Sequence, residues 1–313
     1  MAGSDIVSAL DDHVADYLRL RRRLGFKLER AGRLLPQLVA YLETAGASTV
    51  TRELAIAWAR QPAGARPTYW AARLSIARGF AAYLHTIDPA TEVPPADVFG
   101  ARYRRPTPYL WSATDIQRLL EATRTLRPPL RAATFETLFG LLAVTGMRVG
   151  EALALDHDDV DLDSGLITIR EQIAKLERAR LIPLHPTTIN ALRRYTTDRA
   201  RLCPRPRSTA FFVSRAGTAL DRSHVGKTLR QLTTALGLRT PSTRPTAQAL
   251  RHSFAVRTLI DWQRSGQAAP RIAVLSTYLG HVSPAETYWY LSATPELMQT
   301  TAERLHARFG GPR

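Results

Sequence analysis

Apolar residues recur at helical spacing through the first 86 positions of the chain. The clearest run includes Ile6, Leu10, Val14 and Leu18, whose spacing places their side chains on one face of a helix over about residues 5–24. Similar runs predict three further helices, over about 29–45, 51–60 and 68–86. The chain therefore begins with a module of four helices.

The helical pattern ends near Asp88. The next stretch, 88–108, reads DPATEVPPADVFGARYRRPTP and contains five prolines without a period, a composition typical of an extended linker. We therefore expect a helical module at 1–87, a linker at 88–108 and a second module at 109–313.

The second module mixes helical and strand patterns. Residues 166–169 and 180–184 alternate and are rich in β-branched side chains, which predicts a small antiparallel sheet. The acidic run at 156–165 does not have the ligand spacing of an EF-hand and is interpreted as a solvated loop. Helical runs lie at about 114–124, 130–144, 186–201, 221–236, 246–264, 270–279 and 295–308. The fold class is thus mainly α with a small antiparallel β-sheet.

The charge of the chain indicates a partner rich in phosphate. The formal net charge is +16 and the pI is about 10.8, values typical of proteins that bind nucleic acid, although a GC-rich genome would also enrich arginine. Two basic clusters are candidates for contacts with a DNA backbone, or else are solvated. They are Arg19, Arg21, Arg22 and Arg23 in the first helix and Arg102, Arg104 and Arg105 in the linker.

Cysteine content and hydropathy indicate the compartment in which the protein works. Cys203 is the only cysteine, so the chain has no intramolecular disulfide and no cysteine-based zinc site. The N-terminus lacks the pattern of a signal peptide, and no apolar run is long enough to span a bilayer. We expect a soluble, cytoplasmic protein, associated with the nucleoid through its DNA.

Five residues in the second module suit phosphoryl transfer. Arg148 lies in TGMRVGEALAL, Lys175 precedes ARLIPL, Arg251 lies in ALRHSFA, and His281 and Tyr290 bound the segment HVSPAETYWY. Two arginines neutralise charge on the non-bridging oxygens of a phosphate. A tyrosine that attacks phosphorus keeps the phosphodiester energy in a covalent bond, and a lysine can protonate the leaving oxygen.

In this order and spacing, the four segments resemble the catalytic domain of the tyrosine recombinase family, the phage integrases and Xer-like site-specific recombinases. The resemblance spans about 110–300, and the helical module before it is similar to the family's core-binding, SAM-like DNA-binding domain. It implies a clamp around double-stranded DNA and a 3′-phosphotyrosine intermediate, with no cofactor, metal or ATP. It also implies a tetrameric synapse, in which the C-terminal helix is a candidate for docking on a neighbouring protomer.

The resemblance assigns roles residue by residue. Arg148 and Arg251 would clamp the scissile phosphate, and Lys175 would be the general acid. His281 would steady the phosphate or the nucleophile, and Tyr290 would be the nucleophile. Tyr288 has the wrong spacing and is interpreted as a packing residue.

One position departs from the family pattern. Gln248 stands where a histidine is usual, and an amide can donate a hydrogen bond but cannot transfer a proton. Glu151, the usual acidic partner of that histidine, would then orient Gln248 or act as a helix-start charge. We expect slower cleavage. The alternatives are an inactive DNA-binding relative with an accessory or architectural role, and a type IB topoisomerase. The biological role stays open between transposition, integration and dimer resolution.

Overall fold

The chain folds into two compact units, Met1–Pro106 and Thr107–Arg313. The structure, a computed structural model, describes residues 2–100, 109–172, 179–281 and Thr287, with the backbone alone for 2–9 and 268–270. In the described part of the chain, no helix combines the length and the apolar composition that crossing a membrane requires.

The first unit contains four helices, as the apolar spacing predicts. Helix α2 shows the reason, since Leu34, Leu35, Leu38 and Leu42 form one stripe that is wholly buried, and burial of such a stripe holds a helix in place. The four helices are α1 (Ala2–Arg23), α2 (Glu29–Thr44), α3 (Arg52–Arg60) and α4 (Pro67–Leu84).

A buried arginine belongs to the core of this unit. The guanidinium carbon of Arg73 lies 4.0 Å from the centroid of the Trp58 ring, and its Nη2 donates to the Trp58 carbonyl at 3.1 Å. That carbonyl lies in the last turn of α3 and also accepts the backbone N–H of Gln61 at 3.2 Å. Arg73 therefore contributes to the basic composition of the chain while serving the fold.

The segment predicted as a linker is packed over much of its length. Thr91 is buried and its hydroxyl lies 2.6 Å from that of Thr49. The N–H of Glu92 donates to the Val50 carbonyl, and its carboxylate accepts the N–H of Arg52 at the start of α3. Residues 88–100 are thus held on the first unit rather than forming a tether, because an extended chain can dock through its own backbone and side-chain hydrogen bonds. The rest of the predicted linker, 101–108, lies outside the described residues.

The second unit is built around α6, which is buried on most sides. Leu138, Phe139 and Leu142 are completely buried, and α6 packs against α5, α8 and α10. The helices are α5 (Ala113–Thr123), α6 (Pro129–Thr145), α7 (Val149–Leu153), α8 (Pro186–Leu202), α9 (Arg222–Ala235), α10 (Ala247–Arg264) and α11 (Ala268–Leu279). The helix predicted at 295–308 lies beyond the described residues.

A three-stranded antiparallel sheet completes this unit, in the order β1 (Val160–Asp161), β2 (Leu166–Ile169) and β3 (Arg180–Pro183). Ile167 lies opposite Ile182, and Ile169 lies opposite Arg180. Opposed residues of antiparallel strands share a face, and the three isoleucines are fully buried. Arg180 therefore projects from the inner face of the sheet.

The interpretation of the acidic run as a solvated loop is wrong in part. It contains strand β1 and a short 3-10 turn, His157–Asp159. The Arg170 guanidinium lies 2.7 Å from the Asp156 carboxylate and 2.9 Å from that of Asp159. Asp159 is buried, because this ion pair compensates its charge.

We expect Leu38→Ala to lower the free energy of unfolding of the first unit by about 2–5 kcal/mol, because Leu38 is completely buried and its loss leaves a cavity. Denaturant unfolding followed by circular dichroism measures the change. Gln37→Ala, at the exposed neighbouring position of the same helix, is the control and should change stability little. Equal effects of the two substitutions would contradict the assignment of the core.

Candidate active site

The α11 turn, residues Tyr278–His281, ends helix α11. Gly280 adopts a left-handed backbone conformation with φ 65° and ψ 50°, which glycine reaches without a side-chain penalty. The N–H of His281 donates to the Ser276 carbonyl at 2.9 Å and closes the turn. The carbonyl groups of residues 278, 279 and 280 belong to the end of a helix, where carbonyls have no partner in the helix itself.

Each of these three carbonyl groups accepts a hydrogen bond from a different arginine. Arg180 donates from Nε to the first carbonyl at 2.9 Å. Arg251 donates from Nη2 to the second at 2.7 Å, and Arg148 donates from Nη2 to the third at 2.7 Å. The carboxyl end of a helix carries partial negative charge and favours cations. The α11 turn is therefore fixed by β3, α10 and the residue that precedes α7.

Glu151 holds two of these arginines together. It is 2% exposed, and its carboxylate accepts the backbone N–H of Arg148 at 2.9 Å and the Arg148 Nη1 at 2.8 Å. Arg180 donates to the same carboxylate from Nη2 at 2.7 Å and from Nη1 at 3.2 Å. Burial by itself raises the pKa of Glu151, but Arg180 and then Arg148 outweigh burial and hold the pKa below its ordinary value. The carboxylate is thus charged at neutral pH.

Arg251 joins the ends of two helices. It is 2% exposed, and besides its bond to the α11 turn it donates from Nη1 to the Gly146 carbonyl at 2.9 Å. Gly146 ends α6 in a left-handed conformation with φ 62°, and a Cβ at this position would lie 2.4 Å from the Phe254 ring. The glycine is required both by its backbone conformation and by the close approach of the ring.

His281 is oriented by a buried hydroxyl. Its Nδ1 lies 2.8 Å from Oγ1 of Thr287, and Thr287 is completely buried. Because one ring nitrogen is engaged by the threonine, the ring orientation is set and Nε2 is the nitrogen on its opposite edge. In the chain, His281 comes directly after the three residues whose carbonyl groups the arginines bind.

Gln248 lies in the first turn of α10, one helical turn before Arg251. It is half-buried. Glu151 was expected either to orient Gln248 or to act as a helix-start charge. The Glu151 carboxylate instead binds Arg148 and Arg180, and its bond to the Arg148 N–H does place it at the start of α7. The expected pairing with Gln248 is therefore not observed among the described residues.

Tyr278, the first tyrosine of the turn, is a packing residue. Its ring stacks on Phe254 with centroids 5.8 Å apart. Burial raises the pKa of its phenol to about 12, despite the opposing charges of Arg180 and Arg251. The buried ring of Tyr278 therefore serves the packing of the turn against α10.

Comparison with known proteins identifies the family. The sequence model of the phage integrase family matches residues 111–296, more than half of the chain. The chain belongs to this family. The integrase/recombinase y4rB of Sinorhizobium fredii is 41% identical over 312 residues, which cover 97% of this chain and 99% of the relative. Tyrosine recombinase XerD of Listeria monocytogenes is 26% identical over 255 residues, which cover 81% and 80%.

A solved structure shares the fold. The Tn1549 transposon integrase in complex with a circular intermediate DNA matches with a TM-score of 0.65 and 17% identity, over 94% of this chain and 99% of that one. The mostly helical architecture with a small antiparallel sheet is therefore confirmed. The family consists of tyrosine recombinases, which cleave and rejoin DNA, and this chain is a site-specific recombinase enzyme.

The described residues include part of the catalytic set expected of a tyrosine recombinase. Arg148 and Arg251 both donate to carbonyl groups of the α11 turn, which ends at His281, and Gln248 lies one helical turn from Arg251. Lys175 and Tyr290, with Tyr288, lie outside the described residues, so their roles stay predictions.

The recombinase site contains two residues that the sequence interpretation missed. Arg180 appeared only as the start of a strand, although alternation with Ile182 would have placed it on the inner face of β3. Thr287 lies six residues after His281. Its contact with the histidine ring singles it out, and that contact has no signal in the sequence.

The basic cluster of α1 is only partly solvated. Arg19 pairs with Asp16 at 2.7 Å, and the Arg21 guanidinium carbon lies 4.0 Å from the Phe26 ring centroid. Arg22 and Arg23 are exposed. The candidates Arg102, Arg104 and Arg105 lie outside the described residues.

We expect Gly146→Ala to destabilise the recombinase by more than Gly237→Ala. Both glycines have left-handed backbones, with φ 62° and 69°, and an alanine in that conformation costs roughly 1–2 kcal/mol. A Cβ at 146 also meets the Phe254 ring at 2.4 Å, whereas a Cβ at 237 meets nothing within 4 Å. Overpacking of this kind adds about 1–3 kcal/mol. Thermal and denaturant unfolding of the two variants measure the difference, and equal losses would show that the ring yields freely.

Proposed function

We propose that this recombinase cleaves duplex DNA by attack of the Tyr290 phenol oxygen on a backbone phosphorus. The new bond joins the phenol oxygen to phosphorus, and the bond from phosphorus to the 5′-oxygen breaks. The product is a 3′-phosphotyrosine and a free 5′-hydroxyl, whose proton comes from Lys175. The phenol gives up its own proton to water, so the step releases as many protons as it takes up. Because the phosphodiester energy is retained, the 5′-hydroxyl of another strand can reverse the step and rejoin the DNA.

The convergence of Arg148 and Arg251 on the α11 turn, which ends at His281, carries this proposal. Arg148, Arg180 and Arg251 bring three positive charges to the turn, and the carboxylate of Glu151 brings one negative charge. The net charge beside the turn is therefore positive. A guanidinium has five N–H donors, and Arg148 uses one for Glu151 and one for Gly280. Further donors of Arg148 can then bind non-bridging phosphate oxygens, where preorganised charge stabilises a transition state.

The side chains of His281 and Gln248 differ in whether they can transfer a proton. His281 is held through Nδ1 by Thr287, and its oriented imidazole would bind the phosphate or the nucleophile. The amide of Gln248 supplies a hydrogen bond to the phosphate but no proton transfer. We therefore propose slower cleavage than a histidine at position 248 would allow.

The larger assembly is part of the proposal. We propose that protomers act as a tetramer on two DNA sites, with the segment 295–308 docking on a neighbouring protomer, and that the protein works in the cytoplasm on nucleoid DNA. The exposed Arg22 and Arg23, with Arg19 and Arg21 and the linker arginines, would contact phosphates. The family membership and the net charge of +16 support these points, and a mass measurement of the protein on two copies of its site tests the tetramer.

We expect wild-type protein to form a covalent adduct on a nicked suicide duplex, in which the released fragment carries away the attacking 5′-hydroxyl. Tyr290→Phe should abolish the adduct because it removes the nucleophilic oxygen, whereas Tyr288→Phe should retain it. Denaturing electrophoresis with labelled DNA measures the adduct. A wild-type protein that binds its site tightly and forms no adduct would favour the architectural alternative.

We expect Arg148→Ala to stop cleavage while DNA affinity stays close to the wild-type value. The reason is that one phosphate contact is a small part of an interface that binds through many phosphates, whereas loss of a transition-state donor lowers the rate by roughly 10²–10³-fold. Single-turnover cleavage and equilibrium binding at one salt concentration measure the two effects. Parallel losses of affinity and rate would show that Arg148 is not beside the scissile phosphate.

A further inference from the structure

We propose that Arg180 is a positioning residue of the recombination site, which acts with the buried Glu151 to hold the Arg148 guanidinium and the α11 turn in their working arrangement. The inference rests on the proposed function, because the group that Arg180 positions is the proposed phosphate clamp.

The Arg180 side chain connects three elements. It begins on β3, donates twice to Glu151 of α7, and donates from Nε to the Tyr278 carbonyl at the end of α11. Its side chain is 11% exposed. An ion pair this deeply buried is sensitive to geometry and needs every polar group matched.

Only an arginine can make this set of bonds. The three acceptors are two carboxylate oxygens and one carbonyl oxygen, and they are met by Nε, Nη1 and Nη2 of one planar group. A lysine at position 180 would place its charge at a single nitrogen and could not span both acceptor groups in this fork geometry. The arrangement therefore requires the planar shape of the guanidinium group as well as its charge.

The position of Arg148 depends on Arg180 through the shared carboxylate. Glu151 Oε1 accepts from Nη1 of both arginines, at 2.8 Å from Arg148 and 3.2 Å from Arg180. If Arg180 were removed, Arg148 would be the one arginine of the pair that still binds the buried carboxylate. Arg148 would then be drawn toward Glu151 and away from the Gly280 carbonyl, and displacements of about 1 Å can slow a reaction about 10²-fold.

Both guanidinium groups lie close to the backbone at Gly280. A Cβ at Gly280 would lie 3.0 Å from Arg180 Nη1 and 3.4 Å from Arg148 Nη1. The two guanidinium groups thus lie against the bare backbone of the α11 turn, at the residue before His281. This proximity of both groups to Gly280 agrees with the hydrogen bonds that they make to the turn.

The ionisation of Glu151 provides a signature that a purely structural arginine would not give. Arg180 is the foremost of the groups that lower the pKa of Glu151, and burial raises it. Without Arg180 the pKa rises, so the carboxylate is protonated as pH falls through this higher value, and the neutral acid no longer anchors Arg148. Cleavage by an Arg180 variant should therefore decline on the acid side in a pH range where the wild-type carboxylate stays charged.

Other groups near the turn are distinguished from Glu151 by substitution. Arg148 and Arg251 stay charged throughout, and Tyr278 stays neutral because burial raises its pKa to about 12. An acid limb that does not arise from Glu151, including one that involves the neighbouring His281, would persist when Glu151 is replaced.

The experiment measures single-turnover adduct formation on the nicked duplex, with saturating protein, from mildly acidic to mildly alkaline pH. We expect Arg180→Met to cut the rate about 10²-fold with near wild-type DNA affinity and a new acid limb. Arg180→Lys should recover part of the rate. The double variant Arg180→Met with Glu151→Gln should lose the acid limb but stay slow. It also removes the uncompensated buried charge, so it serves if Arg180→Met does not fold.

The matched control is Arg124→Met, which removes an arginine from an exposed pair with Glu136 at 2.8 Å and should cleave like wild type. The proposal is overturned if Arg180→Met or the double variant cleaves at the wild-type rate. It is also overturned if the rate and DNA affinity fall together without an acid limb. If the wild-type protein forms no adduct, both the proposed function and this inference are wrong. If the wild-type protein forms the adduct and the Arg180 variants cleave equally well, only this inference is wrong.

Discussion

The second unit depends on one electrostatic match, between the carboxyl end of α11 and three guanidinium groups. A helix end concentrates partial negative charge and unpaired carbonyl groups, and here that end is met by side chains from three different elements. The match does two things at once. It adds to the backbone hydrogen bonds that close the turn, and it gathers cations at the end of a helix even when no DNA is bound. The charge required for phosphoryl transfer is thus part of the architecture.

This dual use changes how the basic composition should be interpreted. A net charge of +16 predicts a nucleic-acid partner, yet several arginines are engaged inside the fold. Arg73 packs on Trp58, Arg118 donates to the Leu236 carbonyl at the end of α9, and Arg170 compensates two aspartates. Planar guanidinium groups suit such carbonyl-rich helix ends. Counting arginines alone therefore overstates the surface that faces DNA.

The sequence predicted most of the helices and the sheet, because those elements follow from local periodicity. It also placed Arg148, Arg251 and His281 in one site, through the order and spacing of their motifs. It could not predict the partners of Glu151, since the residues that bind it are 3 and 29 positions away and the second comes from a strand. The bond from Arg148 to Gly280 spans 132 positions. Such pairings are set by tertiary packing, as is the docking of 88–100 through Thr91 and Glu92.

The location of Arg180 on β3 has a consequence for how the enzyme changes state. Residues 173–178, which include Lys175, end just before this strand, and the α11 turn lies just before the segment that leads to Tyr290. A shift of β3 by little more than the length of a hydrogen bond would release the Tyr278 carbonyl and the Glu151 carboxylate together. Strand β3 and the α11 turn are thereby coupled through Arg180, and each is followed or preceded in the chain by a segment that holds one of the two residues proposed for the acid and nucleophile roles.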